Sequence, residues 1–143
     1  MIASLLNAES LSDLTAELAA AGLPTSDLAE PDRRFFRFED VAGIIGYGGI
    51  EGDGPDRLLR SLVVKPERRG AGLGAAILGA IEQAATDNGV AALYLLTTTA
   101  EPFFRRHGYK TAERANAPAA IARSTEFRTL CLASAALLSK RIA

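Results

Sequence analysis

Leu62-Val63-Val64-Lys65-Pro66-Glu67-Arg68-Arg69-Gly70-Ala71-Gly72-Leu73-Gly74 is the stretch that decides the fold. An apolar, β-branched run is stopped by Pro66, and glycines follow the paired arginines. Beyond them Leu73, Ile77, Ile81 and Ala84 or Ala85 recur on one helical face as far as Asn88, where Gly89 stops the pattern. The segment therefore predicts a strand, a tight turn and a helix over 70–88. Glycines in such a turn let backbone N–H groups approach an anion closely, and the helix N-terminus adds about half a positive charge. Arg68 and Arg69 strengthen that anion site.

Three nucleotide-binding patterns place glycines in a turn of this kind. A P-loop needs Gly-Lys followed by Ser or Thr, whereas Gly72-Leu73-Gly74-Ala75 offers neither. Gly70, Gly72 and Ala75 fit the looser dinucleotide pattern, but the acidic residue about 20 positions on is missing, and Thr97-Thr98-Thr99 stands there instead. The third pattern is Arg or Gln, two residues, Gly, one residue, then Gly or Ala, filled by Arg69, Gly72 and Gly74. The bland alternative is that the glycines only tighten a connection between strand and helix.

Working outward, Met1 to Ala8 reads as a short strand. A helix capped by Ser10 or Ser12 follows, with Leu11, Leu14, Leu18 and Ala21 at helical spacing and a stop at Gly22. Strands are predicted over 32–39 and 41–51 around a turn at Glu39-Asp40. The turn chemistry of Gly52-Asp53-Gly54-Pro55-Asp56 then returns the chain as a hairpin over 57–64. Ala91 to Thr98 predicts a buried central strand, Ala100 to His107 a short helix ended by Gly108, and Tyr109 to Arg114 an edge strand. Ala117 to Ser124 reads as a helical turn, and on pattern alone Ala133 to Arg141 suits helix or strand equally. The sum is a single α+β domain.

Composition removes several function classes. The 143 residues fit one core, and 16 Lys+Arg against 17 Asp+Glu leave a formal net charge of -1, which offers no basic field for a nucleic-acid backbone. Apolar runs such as 89–96 fall well short of the roughly 20 residues of a membrane span, so no membrane partner and a cytoplasmic location are expected. One cysteine, Cys131, and one histidine, His107, exclude a multi-thiolate or multi-histidine metal site. Cys131, between Leu130 and Leu132, reads as a small buried hydrophobe.

With Val63-Val64-Lys65-Pro66 before it, the Arg69, Gly72, Gly74 pattern resembles the acyl-CoA signature of the GCN5-related N-acetyltransferase (GNAT) superfamily. A second segment, Leu95 to Tyr109 with Phe103-Phe104 and Gly108-Tyr109, resembles the same superfamily about 30 residues on. The resemblance implies a central mixed, largely antiparallel sheet of six to seven strands, splayed in the middle, with helices on both faces and 133–141 as the last strand. It implies acetyl-CoA as acyl donor, no metal, a small-molecule amine acceptor and, from the habit of relatives of this size, a homodimer. Leu59-Arg60-Ser61, Thr97 to Thr99, and the tail from Ala117 through Thr125-Glu126-Phe127 to Cys131 look more narrowly like acetyltransferases of arsenic-resistance operons. Those relatives usually have Pro where this chain has Leu132. A protein acceptor and a catalytically silent acyl-CoA-binding domain are the competing functions.

The resemblance also distributes roles. The backbone of Leu62, Val63 and Val64 takes the pantetheine arm, the turn from Arg69 through Gly70, Ala71, Gly72 and Leu73 to Gly74 takes the pyrophosphate, and Thr98 and Phe104 lie beside the cofactor. The thiolate acid departs from the pattern, because many relatives carry Tyr where Phe104 stands; water, a threonine of 97–99 or Tyr109 must replace it. Relatives' catalytic Glu falls at Leu58, so Glu51 is the best remaining carboxylate for a general base, with Asp53 and Asp56 behind it. Strand alternation back from Val64 through Leu62 sets Arg60 on the cofactor face, where it and Arg123 are candidates for a carboxylate on an amino-acid-like acceptor. A bulge shifting that alternation is the alternative for Arg60.

Overall fold

A computed structural model describes residues 1–130 and 134–142. The elements are β1 (Ile2–Leu5), α1 (Leu11–Ala20), β2 (Arg33–Asp40), β3 (Gly43–Glu51), β4 (Asp56–Val64), α2 (Leu73–Asp87), β5 (Ala92–Thr97), α3 (Glu101–Arg106), β6 (Lys110–Thr111), α4 (Ala119–Ala122) and β7 (Ala136–Arg141). They build a seven-stranded sheet in the order β1-β2-β3-β4-β5-β7-β6. Every neighbouring pair is antiparallel except β4 and β5, which are parallel and need the crossover that α2 supplies. The mixed, largely antiparallel sheet is the expected fold. Among the described residues no helix is long and apolar enough to cross a membrane.

Each face of the sheet carries its own apolar core. Ile77, Leu78 and Ile81 of α2 pack with Phe38, Ile45, Leu59, Leu93 and Leu95 on one face, and Leu14 and Leu18 of α1 pack with Phe35, Tyr47 and Val63 on the other. Gly48 lets α2 sit close, since a Cβ there would meet Ile81 at 2.3 Å. The predicted helix stops hold in detail. At Gly22, Gly89 and Gly108 the chain turns left-handed, and the next residue's N–H returns to a carbonyl five residues back, as from Leu23 to Leu18 at 2.9 Å.

Several boundaries differ from the sequence reading. Ser10 is the N-cap residue of α1, one of the two expected positions, but its side chain makes no capping bond. The capping side chain is Asn7, at the head of the 3-10 turn Ala8–Ser10 just before the helix, where Oδ1 accepts from the Ser10 N–H at 3.1 Å. The β2–β3 turn lies at Val41-Ala42, closed by Asp40 Oδ1 accepting from Ala42 N–H. α2 begins at Leu73 because Gly70 and Gly72 have φ of 90° and 73°, outside helical geometry. The predicted strand over 109–114 shrinks to the two-residue β6, and the ambiguous tail forms strand β7 against β5. The reading of Cys131 lies outside the described residues.

Two irregularities shape the centre. The β4–β5 register stops at Leu58 opposite Tyr94; beyond it β4 stays with β3, while Leu95 to Thr97 stay with β7. The parallel strands therefore part and leave a gap in mid-sheet. Within β4, Arg60 pairs with Gly49 and Val63 with Tyr47, so Ser61 and Leu62 together oppose Gly48 in a β-bulge. Ser61 has φ 60°, unusual for a residue with a side chain.

Candidate active site

The gap between β4 and β5 widens into a cleft of about 1010 Å³. One wall is the β4 run from Leu59 to Val64, the opposite wall holds Leu95, Thr97, Phe103 and Phe104, the mouth is the glycine turn, and the far end reaches Ala20, Leu23 and Glu126. A volume of this order suits an extended ligand.

At the mouth, Gly72 is the N-cap of the 15-residue α2 and no side chain caps it. The first N–H groups of that helix are thus left for a ligand, with the helix dipole behind them. Nothing lies within 4 Å of a Cβ built at Gly70 or Gly72, so these glycines supply conformation rather than clearance. Arg69 is exposed and donates from Nε to the Val64 carbonyl at 3.1 Å. Arg68 is committed to the β2–β3 turn instead, bonding the Asp40 carboxylate and the Gly43 carbonyl. Both arginines line the cleft, and Arg69 is the one not tied to the β2–β3 turn. Leu62, Val63, Val64, Leu73 and Gly74 line the cleft, but Ala71 and Thr98 do not. Thr97 and Thr99 take the place given to Thr98, because the strand ends at Thr97 and the chain bends there.

The bulge corrects the reading of Arg60. One extra residue between Arg60 and Val63 reverses the alternation, so Arg60 shares the α1 face with Val63, opposite Leu62 and Val64. Its guanidinium is fully buried and surrounded by acid. It donates to Asp27 Oδ2 and Oδ1 at 2.6 and 2.7 Å, to Glu51 Oε1 at 2.9 Å and to Ser61 Oγ at 3.2 Å, while Glu126 Oε2 lies 3.2 Å from Nε. Arg33 joins from β2, donating to Asp27 Oδ2 at 2.8 Å and standing 3.6 Å from Glu51. Burial alone would lower the pKa of Arg60, but the carboxylates outweigh it and hold the group above its ordinary value. Burial pulls Asp27 up, yet the bonds from Arg60 and Arg33 keep it below the usual carboxylate range. A guanidinium engaged in this way has little left for a substrate carboxylate.

The other candidates are also relocated. Glu51 faces Arg60 and Arg33 and does not line the cleft. Tyr109 lies outside the cleft too, its hydroxyl donating to Glu82 at 2.9 Å, and burial together with Glu82 drives its pKa well up. The hydroxyl is thus engaged with Glu82 rather than directed into the cleft. Tyr109→Phe is therefore expected to leave turnover within about twofold while lowering stability by about 1 kcal/mol, read by thiol release and thermal melting. Phe104 does line the cleft, packed edge-on against Phe103 at 5.1 Å. Arg123 is exposed at the end of α4 and does not line the cleft. His107 lines the cleft, its ring 4.8 Å from that of Phe103.

Sequence reasoning missed Asp27 and Glu126. Asp27 belongs to an irregular connection before β2, and nothing local signals that it folds back 33 positions onto Arg60. Glu126 is buried and lines the cleft, although only its place in the tail motif marked it in the sequence.

A family model described as an acetyltransferase (GNAT) domain matches residues 31–111. The chain is 42% identical over 59 residues to an uncharacterized N-acetyltransferase, YjcF, of Bacillus subtilis (strain 168), a stretch that covers 41% of each protein. Among solved structures, N-acetylglutamate synthase from Neisseria gonorrhoeae, complexed with coenzyme A and L-arginine, superposes with a TM-score of 0.77 at 17% identity, covering 98% of this chain and 32% of that one. Rv2747 from Mycobacterium tuberculosis, in complex with CoA and NLQ, gives 0.76 at 19% identity and covers 99% of both chains. The chain thus spans less than half of that curated relative and about a third of the synthase. At these identities the structural likeness is one of fold.

Proposed function

We propose that this chain, which belongs to the GNAT family of acetyltransferases, binds acetyl-CoA in the cleft between β4 and β5 and transfers the acetyl group to a small amine. The observation that carries this reading is the parting of the parallel strands at Leu58 and Tyr94, with the glycine turn and the uncapped α2 N-terminus at its mouth. Pyrophosphate suits the turn from Arg69 to Gly74, and the freed β4 backbone of Leu62 to Val64 suits the amides of pantetheine. A thioester held there meets the acceptor from the end formed by Ala20, Leu23 and Glu126. Positioning of the two reactants supplies much of the rate.

The acceptor end suits a cation, because an acidic side chain reaches it. Among the described residues Arg33 and Arg60 face Asp27, Glu51 and Glu126. Glu126 is the carboxylate of this group that reaches the cleft, and there it can hold an ammonium and take its first proton, leaving the neutral amine to attack. An amino-acid-like acceptor and a part in arsenic resistance rest on sequence resemblance alone, and the engaged Arg60 removes the physical support for the former.

Coenzyme A is expected to raise the melting temperature, and acetyl-CoA to release thiol with some members of a panel of small amines. Glu126→Gln is expected to raise acceptor KM about tenfold and leave the shift caused by CoA in place. A melting temperature indifferent to CoA would overturn the reading, and a shift with no turnover on any amine would favour a silent acyl-CoA-binding domain.

A further inference from the structure

Phe104 brings no proton donor to the cleft, and the Tyr109 hydroxyl is turned toward Glu82. One hydroxyl does stand on the β4 wall. Ser61 is 8% exposed, lines the cleft, and follows directly on the Leu62 to Val64 backbone toward the point where β4 and β5 converge. A pantetheine arm running along that backbone from the glycine turn brings its sulfur to this position. Ser61 is also held unusually, in the bulge with φ 60°, a conformation that glycine adopts more readily. Outliers of this kind gather at functional sites, where the surrounding structure over-determines them.

The hydroxyl is oriented as well as placed. Arg60 Nε donates to Ser61 Oγ at 3.2 Å. The bond occupies a lone pair with a cationic donor and makes the O–H a better acid, and among the described residues no acceptor takes the hydroxyl hydrogen. Arg60 is itself fixed by Asp27 and Glu51, so it acts as a positioning residue for Ser61.

Building on the acetyl-transfer reading above, we infer that the Ser61 hydroxyl carries a proton from the acceptor nitrogen to the departing CoA sulfur, the role that Phe104 cannot fill. The neutral amine attacks the thioester carbonyl, forming the C–N bond and leaving an oxyanion and a protonated nitrogen. As the carbonyl re-forms and the C–S bond breaks, Ser61 gives its proton to the sulfur and receives one from the nitrogen. The hydroxyl is restored, the amide is neutral, and the thiol leaves with no further reactant.

The test uses the full chain with acetyl-CoA and an accepted amine. Ser61→Gly is expected to lower kcat on the order of 100-fold, with KM for acetyl-CoA and the melting shift caused by CoA unchanged. Its own melting temperature is expected to hold or rise, because glycine suits the positive φ. Ser61→Ala lacks the hydroxyl but keeps the strained Cβ, and is expected to lose kcat equally without that gain in stability. If both variants turn over within twofold of wild type, or if only the alanine variant is slow, the proton-carrying role is overturned while the transferase reading stands. A wild-type chain that binds no CoA overturns both.

Discussion

Arg60→Ala is expected to lower stability by about 3–5 kcal/mol, because it removes one partner of a buried charge cluster and leaves the others uncompensated. For a chain of this size that is a fall in melting temperature on the order of 10 °C. The guanidinium has no exposed surface and bonds Asp27 twice, Glu51 and Ser61. Without it, Asp27 and Glu51 keep Arg33 as a positive partner among the described residues, one guanidinium where there were two. Arg60→Lys is expected to fall between, since one ammonium cannot span both Asp27 oxygens and Glu51 as a planar fork does. Acid adds a second readout. Asp27 is held below its ordinary value of 3.8 in the fold, so its contribution is present above that value and is lost as pH falls through the lower folded one. With Arg60 gone, burial pulls Asp27 up again, and the acid midpoint of unfolding is expected to move to higher pH. A variant that melts like wild type while acceptor KM rises would return the guanidinium to substrate recognition.

The contrast between Arg60 and Gly72 shows what a sequence makes legible here. Helix stops, the turn and most strands are local matters, set within a few residues by glycine, proline and periodicity, and they were readable. Strand β7 was not readable from pattern, because Ala136 to Arg141 takes its conformation from pairing with β5, 39 to 49 positions earlier. Arg60 failed for a different reason. The alternation argument was sound as far as Leu62, but Ser61 inserts one residue against Gly48, and no feature of Leu59-Arg60-Ser61 announces a bulge. Every side chain before the insertion then changes face relative to those after it. The acidic partners were equally hidden, since Asp27 and Glu126 approach Arg60 from opposite ends of the chain. The glycine turn at the cleft mouth was therefore visible in one short motif, whereas the charged cluster around Arg60 is assembled from distant segments around a register shift.

Gly72→Asp is expected to weaken CoA binding on the order of 100-fold while barely moving the stability of the free protein. The two effects separate because the same charge acts in opposite senses. In the free protein a carboxylate at the N-terminus of α2 meets the positive end of the helix dipole, which favours it by a few tenths of a kcal/mol to about 1 kcal/mol. A Cβ at Gly72 meets nothing within 4 Å. The φ of 73° costs a side chain about 1–2 kcal/mol, although aspartate is among the residues that enter this region most readily. These contributions nearly cancel. With a pyrophosphate seated on the turn, a like charge about 4 Å away costs about 4 kcal/mol at the effective dielectric of a protein surface. At 1.4 kcal/mol per tenfold change, even a partly screened repulsion reaches the stated loss. Gly72→Ala is the control for backbone strain alone, and it is expected to keep CoA affinity within about tenfold. Titration of each variant with CoA at two salt concentrations checks the electrostatic origin, since the deficit of the aspartate variant must shrink as salt rises and that of the alanine variant must not. If Gly72→Asp binds CoA like wild type, the pyrophosphate does not sit on this turn, and the assignment of the cleft mouth falls with it.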